Sequence, residues 1–145
     1  MRIYLASNFK SQERIRKVRD EIKALGHTVT SSWLGEKGGQ SFELQPHNGP
    51  RYATRDVGEI VTSDLLIIDT KEQSNTGGRE VEYGVALALG KLVWVVGKHR
   101  NVFHTVARHT FTTWDECYAY LRLVGASSSN DCVHEPATVS DEGRG

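Results

Sequence analysis

Two carboxylates stand where chemistry is easiest to imagine. Glu82 follows the glycine-bearing turn Asn75-Thr76-Gly77-Gly78, and Asp56 falls on the edge of an apolar helical stripe, three residues after Ala53 and four before Ile60. A carboxylate on an inward face is costly unless it is paired or its pKa is shifted, so Asp56 calls for a partner or a task. A pair of acids converging on one cleft can cleave a glycosidic bond: one attacks or stabilises the anomeric carbon, and the other manages the proton of the leaving group. The competing explanation is local. Asp56 has Arg51, Tyr52 and Arg55 within reach along its own helix, and Glu80 and Glu82 suit the positive end of a helix dipole.

These acids are positioned by a regular alternation. Leu65 to Asp69 reads as a buried strand, and Val81 to Leu89 as a helix with Val81, Val85, Ala88 and Leu89 inward, which places Glu82 in its first turn. Before them come a strand over Ile3 to Ala6, a helix over Ser11 to Leu25 and a second strand over Thr28 to Trp33. Leu34 to Pro50, with four glycines and two prolines, reads as a long surface loop, and Arg51 to Thr62 as a helix presenting Ala53, Val57, Ile60 and Val61 to the core. Leu92 to Val96, a short strand around Thr110 to Thr112 and a helix over Trp114 to Val124 complete the pattern. The expectation is an α/β fold, a doubly wound five-stranded parallel sheet of the flavodoxin or Rossmann kind. In such a sheet ligands bind beyond the carboxyl ends of the strands, where both acids should lie.

Composition narrows the possibilities. With 145 residues the chain is the size of one domain, read as 1–124 followed by a polar, disordered tail over 125–145. Its 18 basic and 18 acidic residues give no pull toward a nucleic acid polymer, and no apolar run is long enough for a membrane. Cys117 and Cys132 form neither a disulfide framework nor a metal motif, so a reducing cytoplasm, no metal and no cofactor are expected. The turn at Gly77-Gly78 has neither the Walker spacing nor a GxGxxG pattern. Trp33 and Phe42 are the aromatics available to stack on a base, with core packing the other role for Trp33.

Four segments together are more specific than any one of them: Ile3-Tyr4-Leu5-Ala6-Ser7; Asp56-Val57-Gly58-Glu59-Ile60 with Ser63-Asp64-Leu65; Gly77-Gly78-Arg79-Glu80-Val81-Glu82-Tyr83-Gly84 with Ala86 to Lys91; and Asn101-Val102-Phe103-His104. In that order the chain, from Arg2 to about Leu121, resembles the nucleoside 2-deoxyribosyltransferase family and its relatives that hydrolyse nucleoside 5'-monophosphates. The resemblance implies that Glu82 attacks C1' of the deoxyribose and carries the sugar as an ester, that Asp56 exchanges a proton with the base, and that Tyr4 orients the nucleophile; a hydrogen bond donated by Tyr4 would also favour the ionised carboxylate. It implies a nucleoside or nucleotide as the small-molecule partner, and a homo-oligomer in which Asn101 completes a neighbour's site. Thr76 stands where the transferases carry an acid that reads the base, beside Gly77 and Gly78 of the same turn. The hydrolases bind a 5'-phosphate through serine, arginine and main-chain donors, for which Ser7, Asn8, Lys10 and the Ser74-Asn75 turn are available.

The expected activity is therefore deoxyribosyl transfer between bases. Hydrolysis of deoxynucleoside 5'-monophosphates is the alternative, a non-catalytic nucleotide-binding module is the second, and cleavage of a ribosyl bond in a ribonucleotide or dinucleotide is a third.

Overall fold

The computed structural model describes residues 1–130. Five strands run parallel in the order β2-β1-β3-β4-β5: β1 Arg2–Ala6, β2 Thr28–Val29, β3 Leu65–Asp69, β4 Leu92–Val96 and β5 His109–Phe111. The helices are α1 Gln12–Ala24, α2 Gly39–Glu43, α3 Asn48–Val61, α4 Gly78–Ala88 and α5 Trp114–Asn130. α1 packs against α5 on one face, α3 against α4 on the other. This is the doubly wound sheet expected, and its order reverses between β1 and β3, opening a crevice at their carboxyl ends.

β3 is the centre of the core. Every residue of Leu65–Asp69 is buried, because both faces are covered by helices, and a strand buried on both faces reads as an unbroken apolar run. In register, Tyr4 pairs with Leu66 on one side and Val93 pairs with Leu66 on the other. Asp69 closes the strand as a buried acid satisfied four times: by both Arg14 guanidinium arms at 2.7 and 2.9 Å, Trp114 Nε1 at 2.6 Å and the Lys71 amide at 3.1 Å.

Several boundaries differ from the sequence reading. β2 stops at Val29, and Trp33 lies instead in a 3-10 turn, Ser32–Gly35, with its indole N–H donated to the Leu5 carbonyl at 2.8 Å. The supposed loop over Leu34 to Pro50 contains α2 and the start of α3, since Pro50 falls in the first helical turn, where its missing N–H costs nothing. α5 continues past Val124 to Asn130, so it enters the stretch read as tail; the rest of that stretch, 131–145, lies outside the described residues.

The largest difference concerns which faces are inward. On α3 the buried residues are Asn48, Tyr52 and Ile60, with Asp56 and Glu59 partly buried, while Ala53, Val57 and Val61 are exposed. On α4 they are Arg79, Tyr83 and Ala86; Val81 is 65% exposed and Leu89 47%, and Val85 is partly buried against the core. Ile60 is inward as expected, whereas the other residues expected inward on α3 are turned outward; on α4 polar anchors, not valines, face inward: the Tyr83 hydroxyl donates to the Phe103 carbonyl at 2.8 Å, and Arg79 Nη1 donates to the carbonyls of Asp69 and Glu72 at 3.2 and 2.6 Å.

Candidate active site

Gly77 begins the site. It adopts φ of 75°, a left-handed conformation that glycine enters without penalty, and caps α4, which starts at Gly78. The acid in the first turn is therefore Glu80, and Glu82 lies one step further along, away from the strongest part of the helix dipole. That position turns Glu82 back over the end of β1, where the Tyr4 hydroxyl donates a hydrogen bond to its Oε2. Tyr4 is completely buried, so its ring fixes the direction of the bond.

Glu82 opens into a cavity of about 130 Å³ shared with Asp56, Glu43, Ser7, Trp33, Thr76 and Gly78. Two acids from neighbouring helices thus meet at the crevice between β1 and β3. Asp56 is held by Arg55, whose Nη2 and Nε lie 2.8 and 3.1 Å from Oδ1. Arg55 in turn pairs with Glu36 and stacks its guanidinium 4.7 Å from the Tyr52 ring centre.

Electrostatics set the protonation of this cluster. Burial, opposed by the Tyr4 hydrogen bond and reinforced by the negative charge of Asp56, Glu43 and Glu59, pushes Glu82 up to about 8. Burial likewise raises Asp56, although Arg55 pulls it down. Glu43 is raised by burial and by Asp56. The Tyr4 hydrogen bond favours the Glu82 carboxylate, the direction expected of it, but burial acts the other way and outweighs it. Acids in one cavity titrate as a set, and Glu82, Asp56 and Glu43 are all shifted upward.

The other sequence candidates divide. Ser7 is buried, lines the cavity, and its Oγ has no hydrogen-bond partner among the described residues. Trp33 supplies a wall, its ring tilted against Phe9 at 6.0 Å, and both Thr76 and Gly78 lie on the rim. Asn8 does not reach this cavity. It caps the Phe9–Ser11 turn through the Lys10 amide at 3.2 Å, donates to the Gln73 carbonyl at 3.4 Å, and borders an adjoining cleft. Asn101 is also outside the cavity of its own chain: it caps Val102–Val106 through the amides of Phe103 and His104 and donates to Glu80 at 3.0 Å. Phe42 packs on Tyr52 at 6.2 Å and is not in the cavity wall. Phe9, Gln40, Glu43, Ser74 and Arg79, which do line it, were not among the sequence candidates, except that Ser74 was noted for its turn. Phe9, Ser74 and Arg79 are signalled by proximity to the turns that follow β1 and β3, whereas Gln40 and Glu43, on α2, carry no such signal.

A larger cavity, about 310 Å³, lies toward the α1 and α5 face between Asp69, Val96 and Trp114. Its acid is already bound by Arg14 and the Trp114 indole, which leaves no free carboxylate there among the described residues. Among the described residues no helix is long and apolar enough to cross a membrane.

Residues 3–138 match the family described as nucleoside 2-deoxyribosyltransferase. Among solved structures, the chain shares its fold with a 2-deoxyribosyltransferase from the psychrotolerant bacterium Bacillus psychrosaccharolyticus, at 23% identity and a TM-score of 0.69, over 83% of this chain and 96% of that one. It also shares it with the Clostridium botulinum CMP N-glycosidase BcmB, at 22% identity and a TM-score of 0.56, over 85% of this chain and 99% of that one. No curated protein matches it in sequence.

Proposed function

We propose, because the chain belongs to the nucleoside 2-deoxyribosyltransferase family, that it cleaves the N-glycosidic bond of 2'-deoxynucleosides and transfers the deoxyribosyl group to another base. The observation that carries this reading is the meeting of Glu82, aimed by Tyr4, with Asp56 in one cavity. In the first half-reaction the Glu82 carboxylate forms a bond to C1' as the C1'–N bond breaks, and Asp56 gives its proton to the departing base. In the second, an acceptor base attacks C1', Asp56 takes that base's proton, and Glu82 leaves as carboxylate. A deoxyribose lacks the electron-withdrawing 2'-hydroxyl, so its cation-like transition state is accessible to electrostatic stabilisation by a positioned carboxylate.

Burial disfavours the Glu82 carboxylate in the free protein, and a base hydrogen-bonded to Asp56 draws the shared proton there, which leaves Glu82 as the carboxylate and Asp56 as the acid.

One observation favours a second reading, hydrolysis of a 5'-monophosphate. The unpartnered Ser7 hydroxyl and the Arg79 guanidinium border the Glu82 cavity and offer donors to a phosphate. Homo-oligomerisation belongs to the same proposal. Exposed Val57 and Val61 on α3, Val81 and Leu89 on α4, and Val102 and Phe103 beside Asn101 are apolar surface that a second copy would cover.

Incubation with several deoxynucleosides and their monophosphates, with and without an acceptor base, tests these readings together. A new nucleoside establishes transfer, and free deoxyribose or its phosphate establishes hydrolysis. Release of base at the wild-type rate by Glu82→Ala would remove the nucleophile from the account.

A further inference from the structure

Glu43 has no task in the reaction described, yet it lines that reaction's cavity. It lies on α2, whose approach is set by two left-handed glycines, Gly38 at φ 110° and Gly39 at φ 72°; a Cβ at Gly38 would come within 2.9 Å of Phe42 Cγ. The Phe42 ring packs on Tyr52, and its carbonyl accepts from Asn48 Nδ2 at 3.1 Å, so α2 is anchored to α3, the helix that carries Asp56. Glu43 is half-buried there, and among the described residues its carboxyl has neither a hydrogen bond nor an ion pair. Arg55, whose charge reaches it, is already engaged by Glu36, Asp56 and Glu59. A carboxyl withdrawn from water without a partner costs free energy until a ligand supplies a donor.

The two ends of the cavity differ. After β1 comes Ser7, whose buried Oγ has no partner among the described residues, and just beyond it Asn8 and Lys10 line an adjoining cleft that meets the cavity at Thr76, donors suited to the 5' side of a substrate. Glu43, Asp56 and Trp33 border the cavity and not that cleft, and two carboxyls with an aromatic wall repel a phosphate and suit a base. We propose that Glu43 selects the base: its carboxylate accepts a hydrogen bond from an exocyclic amino group, so that bases carrying such a group are favoured over analogues with an oxygen in its place. This rests on the glycosidic reading, which sets a base against Asp56, and adds the class of base taken. A carboxylate can only accept, an amino group on a base donates, and a carbonyl oxygen at the same position would meet it lone pair to lone pair. Asp56 cannot make the same choice, because Arg55 holds it and its task is the proton of the leaving base. Burial and the charge of Asp56 raise Glu43 in the free protein, with Arg55 opposing them; an amino donor favours the ionised form, so the contact that reads the base also stabilises the charge that reads it.

The test reads recognition apart from chemistry. Calorimetric titration of the full chain carrying Glu82→Gln, with deoxyadenosine against deoxyinosine and deoxycytidine against deoxyuridine, compares partners that exchange an amino group for an oxygen at one position. Within each pair that binds, the amino member is expected to bind at least about tenfold more tightly, the scale of a hydrogen bond to a charged group. Adding Glu43→Gln, whose carboxamide both donates and accepts, should bring that ratio to within about threefold while the far-UV spectrum and unfolding midpoint stay in place. Equal binding within a pair, a preference that survives Glu43→Gln, or no binding of any of the four would overturn the assignment. If the preference appears and is lost with Glu43→Gln, but the wild-type chain releases base from none of the four, the glycosidic reading fails and the reading of the base by Glu43 stands.

Discussion

The hydroxyl of Tyr4, on the first strand, donates to Oε2 of Glu82, 78 residues later on α4. The bond joins a completely buried ring to the acid at the crevice, so the orientation of the Glu82 carboxylate is set by the sheet itself and not by a loop.

Removing that donor alone should slow chemistry without loosening the substrate. Tyr4→Phe keeps the buried ring and loses one hydrogen bond, so kcat is expected to fall about 10- to 100-fold with little change in KM. Because the bond favours the carboxylate, its loss raises Glu82 further, and the rise of kcat/KM with pH should move to higher pH than in the wild type.

Stability should run opposite to activity at this acid. The Glu82 pKa is raised in the folded protein, to about 8 from an ordinary 4.5, so the folded state binds the proton more tightly than the unfolded state. Its contribution to stability is fully present below about pH 4.5 and is lost as pH rises through about 8. Glu82→Gln removes the titration, and urea denaturation at pH 8 should find that variant more stable than wild type, on the order of 1–3 kcal/mol, with the gain shrinking toward pH 5.

Asp56 is tested through the leaving group. Asp56→Asn should cost about 10²- to 10³-fold in base release from ordinary deoxynucleosides, the usual scale for a lost general acid. With 7-methyl-2'-deoxyguanosine, whose base departs without needing a proton, the same substitution should cost less than about tenfold. A uniform loss on both substrates would mean that Asp56 acts by its charge or its hold on Arg55, not as a proton donor.

Much of this arrangement was legible in the residues. The run Leu65-Leu66-Ile67-Ile68 read as a buried strand and is one, and the turn after it led to the helix that carries Glu82. The faces of α3 and α4 were not legible, because periodicity shows that a helix has an apolar stripe and not what covers it. Val57, Val61 and Val81 are apolar yet exposed, while Tyr52 and Tyr83, with polar tips and buried rings, do the packing. Gln40 and Glu43 joined the cavity through tertiary approach of α2, far in sequence from the turns beside it, for which no local pattern exists. The 3-10 turn holding Trp33 was hidden by its β-branched neighbours; the indole bond to the Leu5 carbonyl decides it.

The exposed valines give a prediction of their own. Val81→Asp, at a site 65% exposed, should leave the far-UV spectrum and unfolding midpoint of the isolated chain nearly unchanged, but lower the mass seen by light scattering and depress activity in proportion to the oligomer lost. An unchanged mass would remove α4 from the interface.

The central claim, that Glu82 carries the sugar, is tested most directly by mass spectrometry of the chain quenched during turnover of a 2'-fluoro-2'-deoxynucleoside without acceptor base, since the fluorine slows breakdown of the ester. The account predicts one fluorodeoxyribosyl adduct per chain, located by peptide mapping at Glu82, discharged on addition of a free base and absent from Glu82→Gln. An adduct at another residue, or base release from a wild-type chain that never acquires one while Glu82→Gln turns over equally well, would contradict it.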